Sequence, residues 1–186
     1  MDNDSNDRDP YAQTKGGHSR PLWAPWRIEY IRAEKNDGCF LCDAANKRRE
    51  KDAGLVVARG KASFVLLNAY PYNAGHVLVA PFEHVGDIAD LSLDVYAEMM
   101  QLVVRIKSVI ASEMAPDGFN IGFNIGEAAG AGVASHVHGH VVPRWYGDTN
   151  FMPVLSDTRV VPEALHRTAE LLRKVWDRDY EGTAET

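Results

Sequence analysis

Three histidines at alternate positions, in His136-Val137-His138-Gly139-His140, constrain this chain more than any other feature. They lie in a stretch, 136–143, that alternates polar and apolar residues and so predicts a β-strand. Successive side chains on a strand point to opposite faces. All three imidazoles therefore share one face, and Val137, Gly139 and Val141 take the other. An imidazole titrates near neutrality, binds metals and is nucleophilic when neutral. A lone histidine reads as a pH-sensitive surface or a satisfied polar group, and a histidine-rich tract as a metal scavenger. A row of three, accompanied by the features below, points to a chemical site.

At 186 residues the chain has room for one domain with a substantial core, and an apolar fraction of 45% with 25% charged residues is ordinary globular composition. We expect a single folded domain over 21–180, with a polar tail at 1–20 and a shorter one at 181–186. The formal net charge of −6 argues against nucleic acid as the main partner, although small nucleotides need only a few donors. No apolar run approaches the ~20 residues of a membrane-spanning helix. Residues 1–20 carry Asp2, Asp4, Asp7 and Asp9 and do not read as a signal peptide. A cytoplasmic enzyme without a membrane partner is the expectation.

Leu22-Trp23-Ala24-Pro25-Trp26-Arg27 reads as an irregular aromatic segment packed on the domain or on a second copy. Residues 55–58 and 63–68 predict strands joined in a hairpin at 59–62, and a turn at 71–75 leads to a third strand at 76–80. Ser92 is placed to cap a helix reaching about residue 115, with Val95, Met99, Leu102, Val103, Ile106, Val109 and Ile110 on one stripe. Pro116-Asp117-Gly118 ends it. In 119–126, Phe119, Ile121, Phe123 and Ile125 form a face suited to pack under a helix. Asn120, Gly122, Asn124 and Gly126 form a face of amides and bare backbone. If this strand pairs with the histidine strand, the two polar faces become one floor. The glycine-rich residues 127–135 offer N–H groups to a phosphate, or simply make a surface loop. Pro162 predicts the start of a last helix whose buried side is Leu165, Leu172, Val175 and Trp176.

The only cysteines, Cys39 and Cys42, form Cys-Phe-Leu-Cys. Such a pair is a redox couple, half of a tetrahedral metal site, or two buried thiols. No βαβ setting for a redox couple is evident. His84 and His136 are the natural residues to complete a Cys₂His₂ zinc site, leaving His138 and His140 for catalysis.

Taken together, these residues resemble a known family. His136-Val137-His138-Gly139-His140-Val141-Val142 is similar to the signature of the histidine triad proteins, His-φ-His-φ-His-φ-φ with φ hydrophobic. The block from Asn68 through Pro71 to Gly75-His76-Val77-Leu78-Val79-Ala80-Pro81 is similar to that family's upstream motif. The segments around Trp23–Arg27 and 143–153 resemble the bacterial diadenosine tetraphosphate phosphorylase branch. The resemblance implies an α+β fold with a five-stranded antiparallel sheet, two main helices and a homodimer. It implies nucleotidyl transfer or hydrolysis at an α-phosphate, with His138 as nucleophile. Asn68 then falls at the ribose, Asn124 at the phosphate oxygens, and Cys39, Cys42, His84 and His136 on a structural Zn²⁺. Two departures stand out: Gly139 replaces a hydrophobe, so packing behind the strand must differ, and Val133 stands where relatives often carry a hydroxyl.

The chemistry implied is in-line attack by His138, with His140 and nearby carbonyls fixing its tautomer and His136 completing the row. Asn124 and N–H groups of 127–135, including Gly132 and Ser135, would steady the phosphate, and Trp145 would offer a base-stacking surface or a core contact. With inorganic phosphate as acceptor, diadenosine tetraphosphate gives ADP and ATP. Water as acceptor gives AMP and ATP, as in a hydrolase of dinucleoside polyphosphates or nucleoside phosphoramidates. A nucleotide-binding protein without turnover and a zinc hydrolase using metal-activated water are the competing readings.

Overall fold

The computed structural model describes residues 38–46, 54–148 and 165–181. The expectations for the 1–20 tail, for Trp23 and Trp26, for 149–153, for Pro162 and for 182–186 lie outside these residues.

Five strands form one antiparallel sheet in the order β1-β2-β3-β5-β4. They are β1 (Val56–Arg59), β2 (Ser63–Leu67), β3 (Val77–Pro81), β4 (Gly118–Phe123) and β5 (Gly139–Arg144). The helices are α1 (Phe40–Asn46), α2 (Leu93–Met114) and α3 (Leu165–Trp176), the last continuing into a π-helical turn, Asp177–Glu181. The fold is thus the expected α+β arrangement, with one short helix, α1, beyond the two main ones.

The central strands β2 and β3 are buried along their whole length because helices cover both faces of the sheet. On one face Val65, Leu67, Val77, Val79 and Val141 meet Met99, Leu102, Val103, Ile106, Val109 and Ile110 of α2 and Ala169, Leu172, Val175 and Trp176 of α3. On the other, Phe64, Leu66, Leu78 and Ala80 meet Leu41 of α1. The stripe read from the sequence is therefore the buried face of α2. Ser92 caps that helix by accepting the Val95 N–H at 3.3 Å, an interaction worth ~1 kcal/mol.

The β1–β2 hairpin is closed from α2: the Glu98 carboxylate accepts the N–H groups of Ala62 and Ser63, both at 2.9 Å. A Cβ at residue 60 would stand against that carboxylate, so a larger residue there would have to shift Glu98.

Two boundaries differ from expectation by more than one residue, and each has a physical cause. The histidine strand begins at Gly139 rather than 136, because the ladders on both sides end there, at Val79 in β3 and Phe123 in β4. Before it, the backbone is tied instead by the Val137 N–H, which donates to the Val85 carbonyl at 2.7 Å. β4 stops at Phe123, after which Gly126 and Gly130 turn the chain with φ of 78° and 82°. Phe119 and Phe123 pack on the core as expected, whereas Ile121 is 48% exposed on this edge strand. No helix among the described residues is long and apolar enough to cross a membrane.

Candidate active site

β4 and β5 do pair, with Gly122 opposite His140 and Asn120 opposite Val142. Residues directly opposite in an antiparallel pair share a face, so the amide–glycine face and the histidine face form the continuous floor expected from the sequence. A Cβ added at Gly122 would meet nothing within 4 Å, leaving open space beside His140. Asn124 lies one residue beyond the last ladder pair, on the parity of Gly122. Gly139 leaves room behind this floor for the Phe123 ring, whose Cε1 lies 3.1 Å from where a Cβ would stand. The packing anticipated to differ there is filled by an aromatic from the neighbouring strand.

His138 is buried, and its Nδ1 lies 2.8 Å from the His136 carbonyl. A carbonyl only accepts, so Nδ1 carries the proton and Nε2 keeps its lone pair. Burial pushes the imidazole's pKa below its ordinary value, holding the ring neutral. A neutral imidazole with one nitrogen anchored on backbone is a competent nucleophile.

His140 is fixed by a residue that sequence reasoning left as the start of a strand, His76. The backbone N–H of Tyr72, which only donates, lies 3.1 Å from His76 Nδ1. The proton of His76 is therefore on Nε2, which donates to His140 Nδ1 at 3.0 Å. His140 must then carry its own proton on Nε2. His138 and His140 have ring centroids 5.0 Å apart, so an imidazole acceptor of electrophiles stands beside an imidazole donor of hydrogen bonds. Asn68 joins the same group: its Nδ2 is 3.2 Å from His76 Nδ1, and its Oδ1 accepts the Tyr70 N–H at 2.9 Å. Gly132 and Ser135 lie in the turn that leads into His136.

Trp145 is not brought to this group. It follows the far end of β5, and its indole N–H donates to the Met114 carbonyl at the end of α2, at 3.3 Å. Arg144 shares the face of His140 but is taken up by Asp148 and Asn120.

The second cluster is made by Cys39, Cys42, His84 and His136, whose ligand atoms all lie within 4.8 Å of one another and could hold a metal ion. Cys39 Sγ and Cys42 Sγ are 3.3 and 3.5 Å from His136 Nδ1, and Cys42 Sγ is 3.2 Å from His84 Nδ1. His136 Nε2 lies 2.9 Å from the Pro81 carbonyl, which fixes the proton there and turns the Nδ1 lone pair to the sulfurs. Burial lowers the His136 pKa, favouring the neutral ring that a metal requires. Burial, then neighbouring Cys39, pushes the Cys42 thiol up, a tendency a bound dication would reverse. The Cys-x-x-Cys segment does open a helix, α1, but the sheet is antiparallel throughout, so no βαβ unit surrounds it. Arg59 ties that helix to β1, donating to the carbonyls of Ala45 and Ala44 at 2.8 and 3.0 Å.

Comparison with known proteins agrees with this geometry. Residues 48–146 match the model of the HIT domain. The chain is 40% identical over 164 residues to an AP-4-A phosphorylase of Mycobacterium tuberculosis, covering 84% of each chain. It is 37% identical over 82 residues to a bis(5'-adenosyl)-triphosphatase of Dictyostelium discoideum, covering 44% of this chain and 54% of that one. Among solved structures, a zinc-bound histidine triad family protein from Mycobacterium smegmatis superposes with a TM-score of 0.60 at 25% identity, over 76% of this chain and 94% of that one.

Proposed function

The chain belongs to the histidine triad (HIT) family, and from that membership we propose that it is a nucleotidyltransferase acting on dinucleoside polyphosphates, with phosphate as acceptor. The observation that carries the reading is the anchored His138 ring: its Nδ1–H is spent on the His136 carbonyl, which leaves Nε2 for attack. Nε2 forms a P–N bond to the α-phosphorus as the P–O bond to the polyphosphate breaks, releasing ATP from diadenosine tetraphosphate. Phosphate then attacks the nucleotidyl-histidine, and ADP leaves as His138 is regenerated.

Surrounding groups divide the remaining work. His140, held as an Nε2–H donor by His76, serves the phosphate oxygens and the departing oxygen. Asn124 and N–H groups near Gly132 and Ser135 complete the anion cradle over the bare backbone of Gly122. Asn68 reaches the ribose while bracing His76. Trp145 gives its indole N–H to the Met114 carbonyl, so any base stacking it supplies uses the ring face alone.

Cys39, Cys42, His84 and His136 fit zinc by donor type and spacing, and a zinc-bound relative supports that identity. With four protein ligands, zinc here supplies cross-linking of α1, the His84 segment and the entry to β5. The reading extends to a cytoplasmic protein and to a homodimer, for which the exposed Ile121 on edge strand β4 offers one apolar contact.

A hydrolase is the second reading, favoured by the similarity to a bis(5'-adenosyl)-triphosphatase. Product analysis with diadenosine tetraphosphate, with and without phosphate, separates the two. Phosphate-dependent ADP and ATP are expected. AMP and ATP at an unchanged rate would assign water as acceptor, and binding without products would make the protein a nucleotide binder.

A further inference from the structure

Tyr72 stands in the turn before β3, outside the histidine row, yet it holds the row's third member in two ways. Its backbone N–H sets the His76 tautomer. Its ring also lies parallel to the His76 imidazole, with centroids 4.9 Å apart and planes 16° apart, and within 6.1 Å of His140. We propose that the Tyr72 ring is a positioning element that holds the plane of His76, and through it fixes His140 as an Nε2–H donor.

The physical need is specific. The two donors that reach His76 Nδ1, from Tyr72 and Asn68, are at 3.1 and 3.2 Å, the long end of the hydrogen-bond range. They share one lone pair, so they hold the imidazole against rotation about its Cβ–Cγ bond less firmly than packing on its buried faces does. The bond that matters, His76 Nε2–H to His140 Nδ1, weakens steeply once its angle falls below ~120°. A flat ring stacked on the imidazole blocks that rotation and keeps water off its face. Without the ring, His140 can take its proton on Nδ1. It then presents a lone pair, not a donor, to an anionic phosphate.

The test compares Tyr72→Leu, which removes the flat ring, with Tyr72→Phe, which keeps it. Because the donor role is exercised in the transition state, Tyr72→Leu should lower kcat about 10-fold with KM changed less than about 2-fold, and Tyr72→Phe should stay near wild type. The kinetic arm rests on the nucleotidyl-transfer reading. A second arm does not: ¹⁵N NMR of histidine-labelled protein without substrate should show His140 as one Nε2–H tautomer in wild type and Tyr72→Phe, and as a mixture in Tyr72→Leu. A protein inactive on dinucleotides that still shows this tautomer change would sink the functional reading and leave the positioning role standing. A single His140 tautomer in Tyr72→Leu, or a Tyr72→Phe variant as impaired as Tyr72→Leu, would overturn the proposal. If Tyr72→Leu fails to fold, Tyr72→Met, which fills the volume without a planar face, carries the same comparison.

Discussion

The two ends of β5 are both crowded with polar groups, but they are built on opposite plans. At the first end, each imidazole has one nitrogen anchored and the other directed at something to be done. His136 spends Nε2–H on the Pro81 carbonyl and turns Nδ1 to the thiols. His138 does the reverse, spending Nδ1–H on the His136 carbonyl. At the second end the groups close on one another. Arg144 forms a two-pronged pair with Asp148, and its third nitrogen donates to Asn120 at 2.7 Å. Asp148 also accepts from Asn73 at 2.7 Å and from the Trp145 N–H at 3.2 Å. Polar density alone therefore does not make a site. What distinguishes the first end is that backbone carbonyls choose which nitrogen of His136 and of His138 stays available, and these neighbouring histidines receive opposite tautomers and opposite uses.

The sharpest way to break this comparison is to remove the His138 ring, whose anchored Nδ1 leaves Nε2 for the attack proposed above. His138→Ala should lower turnover by at least ~10³-fold, since no other group can form the covalent intermediate, while nucleotide binding survives. Near-normal turnover would transfer the nucleophile's role elsewhere. Recovery of a nucleotidylated peptide containing His138 from wild type would secure it.

A smaller effect is expected at the neighbouring Cys₂His₂ cluster, whose proposed role is to bind a metal rather than to react. Cys39→Ser should lose the metal and destabilise the fold together, because binding energy at a closed four-ligand site is folding energy. Freshly purified wild type should carry about one zinc per chain, as befits such a site. Since the His136 carbonyl also anchors His138, turnover should fall as the metal is removed. Metal analysis that finds none in never-chelated protein would sever the two halves of this end of β5.

How much of this was legible in the sequence follows from what periodicity can carry. The shared face of the histidine row, the α2 stripe and the alternation of β4 are local, and parity alone places them. The grouping of Cys39, Cys42, His84 and His136 was readable from donor chemistry. The role of His76 was not. It sits two residues before Leu78, on the parity that faces His140, but finding it required the β3–β5 register, which no local pattern encodes. The Gly-His pair in the upstream block was the available signal. The Tyr72 stack and the Phe123 ring behind Gly139 are contacts across elements and were equally hidden. The late start of β5 depended on where two neighbouring ladders end. Helix α1 escaped because seven residues are too few for a helical stripe to declare itself.

The smallest effect belongs to the closed end of β5, and its sign can be worked out in advance. Bonds from Arg144 first, then from Asn73 and the Trp145 N–H, hold the Asp148 carboxyl well below the usual carboxylate range. A depressed folded-state pKa means that the stabilisation is fully present above the unfolded value of about 3.9 and is lost as pH falls towards the folded value. Arg144 is 42% exposed, so solvent screening discounts the pair to about 1 kcal/mol. Asp148→Asn should therefore lower stability by about that amount at neutral pH and flatten the dependence of stability on pH below about 4. Turnover per folded molecule should not move, because the bonds of Asp148 run to Arg144, Asn73 and Trp145 rather than to His138 or His140. Urea unfolding of both proteins at several pH values reads the first part, and steady-state kinetics reads the second. If Asp148→Asn instead cut kcat while leaving the acid limb of stability unchanged, the closed network would be part of the reaction's machinery, and the contrast between the two ends of β5 would fail.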